Sequence, residues 1–211
     1  KEGDFFYLSK GHACAAVYSL LHDLGKMSKE MLDTYGQDGG LGGQLNVATP
    51  GVDWNTGSIG HALGVAAGVA LASKLGGMNN KAWCMIGDAE LAEGSIWEAL
   101  IFAGNHNLRN LICIIDKNQL SATDTVKNDV MFNNLAGTAF NLGWTSINFD
   151  GHDFVDICTA FVSARCSLNP TLLIAHTTKG KGVSFMENNV KWHYGVPNEQ
   201  EYNLALKELS L

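Results

Sequence analysis

Two short polar stretches each follow an all-apolar run. Gly87-Asp88-Ala89 comes after AWCMI at residues 82–86, and Asp116-Lys117-Asn118 comes after LICII at residues 111–115. Asp88 and Asn118 stand 30 positions apart, the span of one strand–helix–strand unit. If the two runs are neighbouring parallel strands, both side chains reach one sheet edge, because adjacent strands lie only ~4.8 Å apart. A carboxylate, an amide oxygen and a nearby backbone carbonyl are hard donors that suit Mg²⁺ or Ca²⁺ rather than zinc. The set is incomplete for an octahedral ion and leaves positions for water and diphosphate oxygens. Gly87 permits close backbone approach, and the start of a following helix offers N–H groups to an anion. The same residues also have a plain structural use, as an Asp capping a helix and an Asn in a turn.

Such convergence needs an α/β frame, and the sequence supplies its pattern. Apolar runs at residues 82–86 and 111–115 read as strands, residues 145–149 and 171–175 are two more strand candidates, and helical spacing appears over residues 11–24, 59–75, 91–106 and 154–166. Continuous apolar runs joined by a helix indicate parallel crossovers with both sheet faces covered. The alternation predicts one α/β domain over residues 1–211, a parallel sheet flanked by helices. Residues 36–50 form a polar, glycine-rich loop. Gly60, Gly64 and Gly68 leave one face of the second helix bare, for close helix packing or for a subunit interface. The chain opens at Lys1 already running into FFYL at residues 5–8, so residues upstream are expected to be missing.

Composition narrows the function. With 211 residues, 46% of them hydrophobic, the chain can bury a core and is no disordered segment. A net charge of −7 without a basic cluster argues against nucleic-acid binding, which runs on Lys and Arg at phosphates. An anionic ligand would then take its positive partners from backbone N–H groups or a metal. The five cysteines are scattered and form no CxxC, which predicts reduced, mostly buried thiols in a cytoplasmic protein. The longest apolar stretch, residues 59–75, carries His61 and Lys74 and is too short and too weakly apolar to span a bilayer. No signal peptide is visible.

The wider context of the two polar stretches resembles a known family. GDAELAEGSIWEAL followed by NLRNLICIIDKNQ is similar to the thiamine diphosphate motif of the transketolases. LSKGHACAAVYSLL at residues 8–21, PGVDWNTGSIGHALGVAAGVALA at 50–72, DGHD at 150–153 and HTTKGKGVSFMENNVKWHYGVP at 176–197 follow in the family's order. The resemblance covers nearly the whole chain. It implies the thiamine-diphosphate-binding fold, and the length matches the diphosphate-binding half alone, as in transketolases encoded as two subunits.

By position, the resemblance implies that Asp88 and Asn118 bind Mg²⁺ through side chains and Leu120 through its carbonyl, with Ca²⁺ or Mn²⁺ as substitutes. Gly87 and Ala89 would lie against the diphosphate. His12 and His193 match histidines near the cofactor and the ketose. Gly57, Ser58 and Ile59 match the segment beside the aminopyrimidine and thiazolium. Glu93 matches an acid that meets the partner's activating glutamate. The implied activity is transfer of a two-carbon ketol unit from a ketose, phosphorylated or not, to an aldose acceptor. It requires a pyrimidine-binding partner subunit, in a heterotetramer. His61 and His152 fall inside matching motifs, whereas His22, His106 and His176 read as capped or surface residues.

The chain departs from the family pattern in two places. Ala89 stands where the family has glycine, which is compatible with diphosphate binding only at negative φ. Gln44 stands where the family has a histidine that holds sugar hydroxyls; glutamine hydrogen-bonds but shuttles no proton, so an altered donor or acceptor preference is expected. Two rival readings keep the cofactor: delivery of the two-carbon unit to a lipoyl or carrier protein, and a non-catalytic cofactor-binding subunit. The absence of GxGxxG disfavours a nicotinamide dehydrogenase.

Overall fold

The structure, a computed structural model, describes residues 3–126 and 134–209. Five strands, β1 (Phe5–Leu8), β2 (Ala82–Gly87), β3 (Leu111–Lys117), β4 (Thr145–Asp150) and β5 (Thr171–His176), form one parallel sheet in the order β1-β2-β3-β5-β4. Side chains alternate along each strand, which explains why the central runs are apolar throughout. Cys84, Ile86, Cys113, Ile115, Leu172 and Ile174 enter one core, while Trp83, Ile112, Ile114, Leu173 and Ala175 enter another on the opposite face.

Seven helices complete the described fold: α1 (Cys14–Asp23), α2 (Lys29–Leu32), α3 (Ala62–Leu75), α4 (Gly94–Asn105), α5 (Leu135–Asn141), α6 (Phe154–Cys166) and α7 (Glu199–Leu209). Alanines of α3 and α4 let both helices settle closely on the first face, joined by Leu135 and Ala139 of α5. Ala160 and Ala164 of α6 cover the second face. A third cluster ties Leu8 at the end of β1 to α1 and to Leu41 and Leu45 of the glycine-rich loop. Cys14, Cys84 and Cys113 are buried, Cys158 and Cys166 are exposed, and all five are free thiols. Among the described residues no helix is long and apolar enough to cross a membrane.

The four strands and the crossover expected from sequence are present, and the helix starts are corrected. The first helix opens with a 3-10 turn, Gly11–Ala13, before α1 begins. The second begins at Ala62 rather than residue 59, because Gly60 takes φ +81° and lies against Glu93, outside helical space. The third is split: a 3-10 turn, Asp88–Ala92, is followed by extended Glu93 (ψ 127°), and α4 starts only at Gly94. Strand β1 and helices α2, α5 and α7 have no clear signal in the sequence. FFYL is too short to display a period, and α7 buries no residue.

Candidate active site

A cavity of about 600 Å³ opens at the carboxyl ends of the strands, where open parallel sheets bind ligands. Its walls come from the residues just past four strands: Lys10 after β1, Asp88 after β2, Asn118 after β3 and Lys179 after β5. The Gly87↔Asp116 register places the tips of β2 and β3 side by side.

Asp88 is 2% exposed, and both its carboxylate oxygens accept backbone N–H bonds. Gln119 donates to Oδ2 at 2.6 Å and Ala89 to Oδ1 at 2.8 Å. The first bond folds the Asn118–Leu120 turn onto Asp88, with Gln119 at φ +62°. Asn118 Oδ1 accepts from Leu120 N at 3.0 Å. The two strand-tip residues therefore do share one corner. Burial pushes the Asp88 carboxyl above its ordinary range and Asp116 adds to this, against the opposing N–H bonds.

Asp116, which carries no signal of its own in the sequence, organises the neighbouring tips. It pairs with Lys10, accepts from Thr177 Oγ1, and accepts from Asn118 Nδ2 at 3.0 Å. Burial opposes its charge, but Lys10 and these donors hold its carboxyl below the usual range. Because Asp116 takes the amide N–H₂ of Asn118, the amide oxygen is the end left for a cation. Among the described residues no three His, Cys, Asp or Glu side chains form a metal-like group. The corner instead offers one carboxylate and one amide oxygen, with Leu120 also in the cavity wall; hard oxygens of this kind suit a divalent ion that takes its remaining ligands from phosphate and water. That donor set fits.

Glu90 is a second buried acid that spacing alone does not single out. Its Oε2 accepts from Ser9 Oγ at 2.5 Å and Gly60 N at 2.9 Å, and its Oε1 accepts from Gly87 N at 2.8 Å. It thereby joins the end of β1, the loop before α3 and the tip of β2. The backbone N–H groups of Gly87 and Ala89 are both engaged with side chains, those of Glu90 and Asp88. Two lysines, Lys10 and Lys179, line the cavity instead. They lie 169 positions apart in the sequence, so no basic cluster signals them, although both fall inside the SKGH and TTKGKG motifs. Ala89 has the negative φ that its methyl requires, inside the 3-10 turn.

Two of the histidines meet in the cavity wall. His12 Nδ1 and His193 Nε2 are 2.8 Å apart, and His193 Nδ1 lies 2.7 Å from Lys179 Nζ. Burial, then the Lys179 ammonium, with further repulsion from His12 and Lys10, pulls His193 down to about 4. Gln44 also lines the cavity; its Oε1 accepts from Thr56 Oγ1 at 3.0 Å. That oxygen fits only because residue 11 is glycine, since a Cβ there would lie 1.5 Å from it. His152 lines the cavity too, its Nε2 accepting from Thr178 N at 2.7 Å. Gly57 and Ile59 form part of the wall, whereas Ser58 is exposed and Glu93 sits beneath Gly60, both outside the lining. His22 bonds to Met27 O and His176 to Asn148, away from the cavity.

Comparison with known proteins places the chain in a family. Residues 1–209 match the family model described as transketolase, thiamine diphosphate binding domain. The chain belongs to the transketolase family. It is 39% identical over 209 residues to a Phocaeicola vulgatus protein named as one of the subunits of apulose-4-phosphate transketolase, covering 98% of this chain and 74% of that one. Human transketolase is 35% identical over 192 residues, covering 90% of this chain but 30% of the human protein. The crystal structure of transketolase from Campylobacter jejuni superposes with a TM-score of 0.90 at 32% identity, covering 97% of this chain and 34% of that one. The chain thus spans about a third of the solved transketolase, and the part it spans is the thiamine diphosphate binding domain.

Proposed function

We propose that this chain is the diphosphate-binding subunit of a two-subunit transketolase, moving a two-carbon ketol unit from a ketose phosphate to an aldose acceptor with thiamine diphosphate and Mg²⁺. The observation that carries the reading is the joining, in one cavity, of the Asp88–Asn118–Leu120 corner to the His12–His193 pair. When bound, the cofactor supplies the nucleophilic carbon that takes up the two-carbon unit. This chain's own residues bind, orient and move protons. Asp88, Asn118 and the Leu120 carbonyl would hold the cation, with Lys10 and Lys179 offsetting negative charge nearby. His12 and His193 would serve a carbonyl oxygen of the sugar as a pair, His12 giving or taking the proton and His193 acting through its contact with His12. Gln44, tied through its oxygen to Thr56, presents its N–H₂ end as a fixed donor to sugar oxygens.

The partner would be a pyrimidine-binding subunit, its activating acid meeting Glu93, in a heterotetramer. The bare Gly64 and Gly68 of α3 support a close-packed interface, because a Cβ at either meets nothing within 4 Å. Two relatives are named as one component of an apulose-4-phosphate transketolase made of separate subunits, which also supports a split enzyme and makes that sugar phosphate one donor to assay. The free thiols support a cytoplasmic location.

The test is reconstitution. Mixed with its pyrimidine-binding partner, thiamine diphosphate and Mg²⁺, the chain is expected to transfer ketol units between sugars, while neither polypeptide does so by itself. Turnover by this chain in isolation, or none in the assembled complex with any ketose phosphate, would overturn the reading. In the same assay Gln44→His is expected to reorder the preferred donors and acceptors; an unchanged ranking removes Gln44 from specificity.

A further inference from the structure

The segment that follows β5 folds back so that Lys179 and His193, 14 positions apart, touch. Asn188 N donates to the Lys179 carbonyl at 2.9 Å, closing the loop behind the lysine. Gly180 takes φ +76°, and a Cβ on it would strike the Met186 carbonyl at 2.5 Å, so the loop crosses there only as glycine. His193 ends a 3-10 turn, Val190–His193, capped by Asn189, whose side chain accepts from Lys191 N at 3.1 Å. The other two lysines of this segment pair with acids, Lys181 with Glu187 and Lys191 with Glu201. Among the described residues Lys179 forms no ion pair; its ammonium meets an imidazole instead.

That contact has only one polarity. An ammonium has three donors and no acceptor, so Lys179 donates and His193 Nδ1 must be the bare, accepting nitrogen. A neutral imidazole with a bare Nδ1 carries its proton on Nε2, and that N–H faces His12 Nδ1 at 2.8 Å. His12 Nδ1 is then the acceptor, and its own proton stands on Nε2. One lysine thus fixes the direction of the whole file, with every donor running from Lys179 toward His12.

We propose that Lys179 is a positioning residue that sets the tautomers of His193 and His12, keeping Nε2 the proton-bearing nitrogen of both rings. For its catalytic consequence this rests on the transketolase reading; the tautomers themselves do not. The charged and titratable groups facing His193 are Lys179, His12, Lys10 and the ring of Tyr194, 4.7 Å away between centroids, and those facing Lys179 include Lys10, Asp116 and Asp88. Lys10 is itself paired with Asp116, which leaves Lys179 as the donor on the ring.

Ring-nitrogen NMR of the full chain tests this, with Lys179→Met and Lys179→Arg beside the wild type. In wild type, His193 is expected as the Nε2–H tautomer with a hydrogen-bonded bare Nδ1, staying neutral well below pH ~6. Lys179→Met is expected to mix the tautomers of both rings and to raise the pH at which His193 takes up a proton by about one unit or more. Lys179→Arg, which keeps a cationic donor, is expected to restore the Nε2–H pattern. Unchanged ring-nitrogen signals in Lys179→Met, or failure of a folded Lys179→Arg to restore them, overturns the proposal. In the reconstituted enzyme the acid limb of kcat/KM is expected to move with the NMR titration. If the tautomers mix as expected while no complex transfers ketol units, the function fails and the positioning role stands.

Discussion

His193 shows how one side chain carries the electrostatics of the site into stability. In the unfolded chain it returns to its ordinary value of 6.5, whereas in the fold burial and the Lys179 ammonium pull it down to about 4. Between those values the unfolded chain binds more protons, so stability is complete above about pH 6.5 and falls as pH drops toward 4. Replacing the residue with His193→Gln is therefore expected to flatten the loss of Tm between roughly pH 7 and 4.5; an equally steep loss would show that this ring is not the proton uptake. The strand tips divide their carboxylates in a similar way. Asp88 accepts one backbone N–H bond at each oxygen, while Asp116 is taken up by the side chains of Lys10, Thr177 and Asn118. The sequence made Asp88 and Asn118 legible because both stand at the ends of apolar runs. It concealed Asp116, which lies in the same tripeptide as Asn118, because its partners come from the end of β1 and from beyond β5.

At the scale of elements, Glu90 is the join that the cavity depends on. It collects a hydroxyl and two backbone N–H groups from three chain segments, at 2.5, 2.9 and 2.8 Å, and is 4% exposed. Glu90→Gln puts an N–H₂ where an acceptor is required, and is expected to cost about 1–3 kcal/mol of unfolding free energy by urea titration. A loss below a few tenths of a kcal/mol would mean that the three segments hold without it. Element identity was readable wherever a strand was covered on both faces, since β2, β3 and β5 then appear as unbroken apolar runs. Boundaries were not. The 3-10 turns Gly11–Ala13 and Asp88–Ala92 carry near-helical spacing, so periodicity alone ran each helix a few residues past its true start. Gly60 ended the next extension by a left-handed backbone that only the packing against Glu93 explains.

At the scale of the whole molecule, the bare face of α3 faces outward. Gly64 and Gly68 are exposed helix-interior glycines, positions where alanine would stabilise an isolated helix by roughly 0.5–1 kcal/mol. Their presence makes sense if another chain lies against them. Gly68→Leu is accordingly expected to leave the isolated chain folded, with Tm unchanged or raised, and to block assembly with the pyrimidine-binding partner in sedimentation analysis. Normal assembly by that variant would move the interface elsewhere. The sequence pattern raised this face without deciding between packing inside the chain and packing outside it; the open space above both glycines favours the second.

The proposed function turns on the tips of β2 and β3 together seating a divalent cation that fixes the diphosphate end of the cofactor. Calorimetric titration of the chain with thiamine diphosphate, with Mg²⁺ and then with a chelator, tests it most directly when run beside Asp88→Ala. The expected result is saturable binding that needs the cation and disappears in Asp88→Ala, with the variant still folded. Equal affinity in the chelator, or undiminished Mg²⁺-dependent binding by Asp88→Ala, would contradict it.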